Sequence, residues 1–487
     1  MKSNVKLLII GAATLVVLAA AVILLNVMGD AEEPSEAVEE TTAASNTLSR
    51  LLYDKDPAQI DNIHVSNESG EYDIVKYNDS SWFVKDFIGL PHSAVAVNSI
   101  CSSAATLTSQ QVASDNAEDL SVYGLDKPRA EVTVTFGGGS DVKELLIGND
   151  SPSDGLTYAS FKGENTVYAV DTSDVEVFLN DRFYFLAKTV YTAKQAEDEN
   201  DTTDYTKITS ITISREDIDY DIVLEYDVRQ DDEDAVYGNS SSHVMTSPVC
   251  LDLNPDTSYD LIYSVFNLTA TEIAVAAPTD EIIAQFGLAD PFCEVSYDIT
   301  GGDFYLLVGN EYTDENGIPK GRYCMADGID IIYMFDYSIL PWATVMPLDI
   351  TMSMITSTYI YTINTLEIET ADKSAAFELS GGSEAFNVEC EGIQDVSEDI
   401  FKDYYQYILR APAEEMYLEE CTDPADITIT IIHENGVDKL EFINSTDRKS
   451  IIRLNGRTSF RCRTSYVNRL IENTEHLLNG ENIVTTW

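Results

Sequence analysis

One unit of sequence recurs along this chain, and a recurring unit constrains folding more than any single cluster of residues. Tyr123-Gly124-Leu125-Asp126-Lys127-Pro128 returns as Phe286-Gly287-Leu288-Ala289-Asp290-Pro291. Leu145-Leu146-Ile147-Gly148-Asn149 matches Leu306-Leu307-Val308-Gly309-Asn310, and Val167-Tyr168-Ala169-Val170-Asp171 matches Ile332-Tyr333-Met334-Phe335-Asp336. Upstream, Ile60-Asp61-Asn62-Ile63-His64-Val65 aligns with Ile208-Thr209-Ser210-Ile211-Thr212-Ile213. A weaker third copy starts near Ile363 and keeps Ile427-Thr428-Ile429-Thr430-Ile431 and Leu440-Glu441-Phe442-Ile443-Asn444. It has Pro424 near the place of Pro128 but no Tyr-Gly-Leu element.

Each copy reads in one order. Two alternating segments come first, with Ile63 and Val65 followed by Tyr72 and Ile74 in the first copy. A helix follows, expected over 98–107, 258–268 and, after Ser397, 398–409, where Phe401, Tyr404, Tyr405 and Ile408 share a face. Beyond the Gly-Leu-x-x-Pro element, Val132, Val134 and Phe136 alternate with threonines, as in a strand with one buried side. Gly137-Gly138-Gly139 reads as the turn into Leu145-Leu146-Ile147. Two more strands, near Tyr158 and Tyr168, lead to a short helix over 174–180. The expected class is α+β: tandem repeats of a mainly antiparallel sheet with one or two helices each, after an N-terminal transmembrane helix. The repeat units are expected at 57–192, 205–345 and, diverged, 360–480.

Leu7 to Leu25 is apolar except for Thr14. As a helix it is roughly 28 Å long, close to a bilayer's hydrocarbon thickness. Lys2 and Lys6 precede it and acidic residues follow, which orients the N-terminus inside and the rest outside. The expectation is a cytoplasmic tip at 1–6, a single-pass anchor at 7–28 in the cell membrane and an acidic tether at 29–56. A cleaved signal peptide is the rival reading, though no clean cleavage site follows Leu25. The tether is rich in Glu, Ala, Thr and Ser and has little to bury.

The net charge of −55 argues against nucleic acid as a partner. Acidic stretches at Glu197–Asp201, Asp231–Asp234 and Asp314–Gly317 leave room for weak Ca²⁺ binding, but none has the ligand spacing of an EF-hand. The seven cysteines are scattered singly, without a CxxC pair; Cys293, Cys324 and Cys462 sit in apolar runs that read as core. The triple glycine lacks the Lys-Ser/Thr of a phosphate loop, and Ser140-x-x-Lys143 falls inside a hairpin. The five histidines are isolated, and carboxylate pairs are too common to single one out. No catalytic group, metal set or cofactor site emerges, so the chain reads as non-enzymatic. One segment departs from the acidic background: Arg453, Arg457, Arg461 and Arg463 lie in a stretch without carboxylates from Arg448 to Arg469. They are a candidate contact for an anionic partner, the plainer reading being neutralisation by acidic faces of the same chain.

The motifs at 123–171 together resemble an uncharacterised bacterial envelope family, the domain-of-unknown-function family numbered 4340. The likeness covers 57–192 and 205–345 and fades beyond 360. Its members look like anchored extracytoplasmic proteins often encoded beside ABC-type transporters, which implies protein partners in the membrane or envelope and an accessory binding role. The alternative is an envelope hydrolase or ligand receptor with its site between repeat units. The structural signature of the repeat is Tyr123, Gly124, Leu125, Pro128 and Gly148, with Phe286, Gly287, Leu288, Pro291 and Gly309 as counterparts.

Overall fold

The computed structural model describes residues 49–77, 81–196, 198, 200–231, 241–445 and 448–487. The expected tip, anchor and most of the tether lie outside the described residues. Among those described, no helix is long and apolar enough to cross a membrane.

The period-two pattern of apolar residues becomes three antiparallel sheets with a few helices, an α+β architecture. The first sheet contains β1 (Arg50–Asp54), β2 (Ile60–Asn67), β3 (Gly70–Tyr77), β4 (Ser81–Val84), β5 (Thr106–Ser114), β6 (Ala130–Phe136), β7 (Asp141–Asp150), β8 (Leu156–Phe161) and β9 (Val167–Asp171). The second contains β10 (Ile208–Arg215), β11 (Ile222–Tyr226), β12 (His243–Ser247), β13 (Leu251–Asp252), β14 (Glu272–Ala276), β15 (Cys293–Ile299), β16 (Phe304–Thr313), β17 (Pro319–Ala326) and β18 (Ile331–Asp336). The third contains β19 (Ile363–Thr370), β20 (Ser374–Ser380), β21 (Asn387–Cys390), β22 (Glu415–Met416), β23 (Ile427–His433), β24 (Gly436–Asn444), β25 (Lys449–Leu454) and β26 (Arg457–Arg463).

Their orders are β4-β3-β2-β6-β7-β8-β9-β5-β1, β13-β12-β11-β10-β15-β16-β17-β18-β14 and β21-β20-β19-β23-β24-β25-β26-β22. Apart from the edge strands β1 and β13, these are one order written three times. The register agrees as well. Val65 faces Val132, Ile213 faces Val295 and Ile368 faces Ile429. A bulge follows the first residue of each central strand, at Ile60, Ile208 and Ile363, and all three isoleucines are buried. A bulge there lets that isoleucine turn inward one residue out of phase with its strand.

Helices cover one side of each sheet. Ala94–Ala105 starts four residues before the expected 98 because Ser93 Oγ accepts from the Ala96 N–H. Its Val97, Ile100, Cys101 and Ala104 are buried in the core shared with β2 and β6. Pro255–Tyr263 begins earlier than expected for the same kind of reason, Asn254 being its cap and Pro255 its first residue. Glu398–Leu409 is capped by Ser397 and buries the expected aromatic face. A helix that the repeat pattern did not single out, Thr464–Asn479, lies beside it; Tyr466 stacks on Tyr407 at 4.9 Å with the rings 1° apart. The expected helix at 174–180 is a single α-turn, Thr172–Val175, continued by the tighter turn Glu176–Leu179.

The tether needs one correction. Its last residues fold: Arg50–Asp54 pairs with β5 at the edge of the first sheet, and Tyr53 is buried within reach of Phe161. The polar average over 29–56 hides Leu51-Leu52-Tyr53, which has enough apolar surface to add a strand. Asp56 then caps the turn Pro57–Gln59.

The sheets share one hydrophobic core that runs from Tyr53 to Leu477. Between the first and second sheets, the Val190 N–H donates to the Leu268 carbonyl and the Ala270 N–H to the Lys188 carbonyl. After the second sheet the chain is tied back to that sheet's edge, where the Met352 N–H donates to the Asp252 carbonyl and the Asn254 N–H to the Ile350 carbonyl. A strap over 351–362 then leads into β19.

Candidate functional site

The signature residues hold a loop against the outer side of each of the first two sheets. Gly124 ends the turn Leu120–Tyr123 in the left-handed conformation, φ 69°, and Gly287 does the same after Phe286, φ 73°. Leu125 and Leu288 follow and are buried. Tyr123 meets Tyr158 edge-on at 4.9 Å, and Phe286 meets Tyr323 edge-on at 4.6 Å. Pro128 and Pro291 are half-buried two residues before β6 and β15. The loop carbonyls approach so closely that a Cβ on Gly148 would lie 2.2 Å from Tyr123 O, and one on Gly309 would lie 2.3 Å from Phe286 O. In the third sheet that register position is Ile443, because Phe442 faces Ile427 as Ile147 faces Ala130. There the docked loop is missing and a side chain fits. These residues therefore carry structure.

The triple glycine turns the chain between β6 and β7, and its free N–H groups at Gly138 and Gly139 donate to the Asp61 carboxylate. Those donors are engaged within the chain. The arginines are also met by carboxylates of their own chain: Arg453 by Glu441 at 3.0 Å, Arg461 by Glu415 at 3.7 Å and Arg463 by Glu414 at 2.9 Å. Arg461 also lies over the Tyr417 ring. Arg457 opens β26, the same strand as Arg461 and Arg463, and is exposed. In the acidic loops Asp201 accepts from Thr203 and Tyr205, which hold its carboxyl down at about 2. Asp314 accepts from the N–H groups of Asn316 and Ile318. Glu197, Glu199 and Asp232 to Asp234 lie outside the described residues. Among the described residues, no three His, Cys, Asp or Glu side chains group as a metal ion would require.

A polar cavity of about 360 Å³ opens where the second sheet, the strap and the third sheet meet. Three carboxylates anchor its walls. Asp227, buried at the end of β11, and Asp252, in β13, share Arg229: the guanidinium reaches the first at 2.8 Å and the second at 2.8 Å. Asp227, then Asp252, hold that guanidinium above its usual range. The other oxygen of Asp252 accepts from Ser357 of the strap. From the third sheet, Asp438 accepts from Thr356 at 2.9 Å and Thr358 at 2.8 Å. His433 Nε2 lies 3.7 Å from the same carboxylate, too far for a direct hydrogen bond, while its Nδ1 accepts from the Asn435 N–H. The strap is thus clamped from both sides by acids on different sheets. Such a constellation can bind polar groups, and it left no motif because its members are scattered from 227 to 455.

Two further histidines are held by hydrogen bonds within the fold. His243 is buried, its Nε2 donating to the Ile208 carbonyl, and burial lowers its pKa to about 4. His92 donates from Nδ1 to the Leu90 carbonyl and accepts from the Val84 N–H at Nε2. Burial raises the thiols of Cys101, Cys293 and Cys462 to about 12, which keeps them protonated and inert.

No curated protein and no solved structure matches this chain. A family model described as Domain of unknown function (DUF4340) matches residues 82–235, from β4 of the first sheet to just beyond β11 of the second. Over that stretch, about a third of its length, the chain is similar to the DUF4340 family.

Proposed function

We propose that this chain is a non-enzymatic, membrane-anchored binding or scaffold protein of the extracytoplasmic side, accessory to an ABC-type transporter or cell-envelope complex. The observation that supports this reading is the reiteration itself. Three sheets of one strand order stand in tandem, and their most specific residues, Gly148, Gly309 and the Gly-Leu loops, are spent on holding the frame. A repeated frame of this kind presents several similar surfaces to partners. The apolar run Leu7 to Leu25 would tether it, with the acidic mass of the chain outside.

The test is affinity purification of the full chain from gently solubilised membranes of its own cells, with quantitative mass spectrometry. The expected result is co-recovery of the membrane and ATP-binding subunits of one transporter in comparable amounts. Recovery of the chain without any such subunit overturns the transporter role. Protease treatment of intact cells and of inverted vesicles checks the orientation, with cleavage of residues beyond 49 expected only in the former.

A second reading, a ligand receptor with its site between units, is favoured by the polar cavity at the junction of the second and third sheets.

A further inference from the structure

The strap between the second and third sheets is the shared wall of two cavities. Met354, Ser357, Thr358 and Tyr359 line both the polar cavity already described and a second one of about 340 Å³. The two differ in chemistry. The first is walled by Asp438, Asn435, Asn455 and the strap hydroxyls. The second is walled by Tyr359, Tyr361, Tyr405 and Leu409, with Lys402 and Gln406 at its polar side. Tyr359 is 44% exposed and meets Tyr361 edge-on at 5.1 Å, so one ring is braced by the other and leaves a free face. Tyr405 is buried and its hydroxyl donates to the Thr358 carbonyl, which fixes the strap between the cavities.

We propose that the two cavities together bind a neutral oligosaccharide, with sugar hydroxyls in the polar cavity and a pyranose face against Tyr359. The inference rests on the receptor reading above. Sugar hydroxyls both donate and accept, and the polar wall supplies both functions. The Asp438 carboxylate has a second oxygen beyond the one that takes Thr356 and Thr358. Asn455 uses its carbonyl oxygen on the Lys439 N–H, which leaves its amide N–H groups as donors. Arg229 pairs with both Asp227 and Asp252, so neither stands as a free carboxylate, although the trio keeps one negative charge. A polyanionic ligand is opposed by the net charge of −55. The apolar C–H face of a pyranose suits an exposed tyrosine ring beside that polar wall, since pockets of this kind combine aromatic walls with a few placed polar groups.

The experiment is isothermal titration of the full chain in detergent micelles with chitotetraose and with maltotetraose, spermidine serving as the cationic comparison. Saturable binding of at least one oligosaccharide is expected. Tyr359→Ala and Asp438→Asn should each weaken it about ten-fold, the loss of one well-made polar or aromatic contact. Tyr259→Ala, at an exposed tyrosine on the helix Pro255–Tyr263, should leave it unchanged. Absence of oligosaccharide binding overturns the proposal, as does binding that neither site variant alters. Tighter binding of spermidine than of either sugar also overturns it in favour of a cation site. Asp438→Asn keeps an acceptor for Thr356 and Thr358, and Tyr359→Ala removes a ring that is nearly half exposed, so near-ultraviolet circular dichroism should match the parent for both. Co-recovery of transporter subunits is measured separately. Its persistence without sugar binding would sink this inference alone, and its loss with sugar binding intact would sink only the transporter role.

Discussion

The carbonyl oxygen of Tyr123 occupies the space that a side chain on Gly148 would need, 2.2 Å from where its Cβ would begin. Gly309 stands in the same relation to Phe286 at 2.3 Å. Gly148→Ala or Gly309→Ala must therefore push the Gly-Leu loop off the sheet, at about 2 kcal/mol or more each. At the equivalent place in the third sheet, Ile443→Val should cost only about 1 kcal/mol, a simple loss of a buried methylene. Urea unfolding midpoints compare the three; an alanine at 148 that costs nothing would contradict the close approach.

Arg215 is buried and grips Asp217 with two nitrogens, at 2.8 and 3.0 Å, while its third nitrogen donates to the Val345 carbonyl at 2.7 Å. Arg215→Ala leaves that carbonyl and the carboxylate without their donor and should cost about 3 kcal/mol or more. Lysine rescues it only in part, because an ammonium keeps the charge but cannot reproduce the fork. Asp217→Asn should cost about 1 kcal/mol or less, since that carboxylate is half exposed. Thermal melts of the three variants would show the order Ala, Lys, Asn in decreasing damage.

His243 gives a pH signature. Its folded pKa of about 4 lies below the ordinary histidine value, because burial penalises the charged ring. Between the unfolded value near 6.5 and about 4 the unfolded chain binds a proton that the folded chain does not. This residue's share of the stability is therefore lost as pH falls through that window, about 3 kcal/mol in all, and is complete above it. The carboxylates add their own dependence, so the informative quantity is a difference. His243→Gln should flatten the slope between pH 6.5 and 4 relative to the parent, and parallel slopes would show that His243 is protonated in the fold.

Asp438 holds Thr356 and Thr358, and through them the strap. Asp438→Ala removes two charge-assisted hydrogen bonds, so the strap should open more often. Limited digestion with chymotrypsin should then cut near Tyr359 and Tyr361 about ten-fold faster than in the parent. An unchanged rate would mean that Tyr405 and the Ser357–Asp252 bond suffice to secure the segment.

Much of the fold was legible because strand pairing writes itself into the sequence at short range. Ala130, Val132, Val134 and Phe136 alternate inward, and their counterparts in β15 and β23 do the same. Gly124, Gly148 and their partners announced themselves by spacing, but the reason for Gly148 lay in a carbonyl more than twenty positions earlier in the chain. The tether's last residues were misread because a polar average masked three apolar neighbours. The arginines stood out as a basic stretch, yet their acidic partners Glu414, Glu415 and Glu441 precede that stretch and were not identified in advance.

The order of apolar and polar residues determined by itself the sheets, their reiteration and the turn positions, since a two-residue period and a glycine at positive φ are local demands. Tertiary structure alone decided where the chemistry could gather. The junction cavity draws Asp227 and Asp252 from one sheet, Thr356 and Ser357 from a strap and Asp438 from another sheet. Hydrogen bonds between residues about a hundred positions apart depend on how two complete sheets meet, and no local pattern records that.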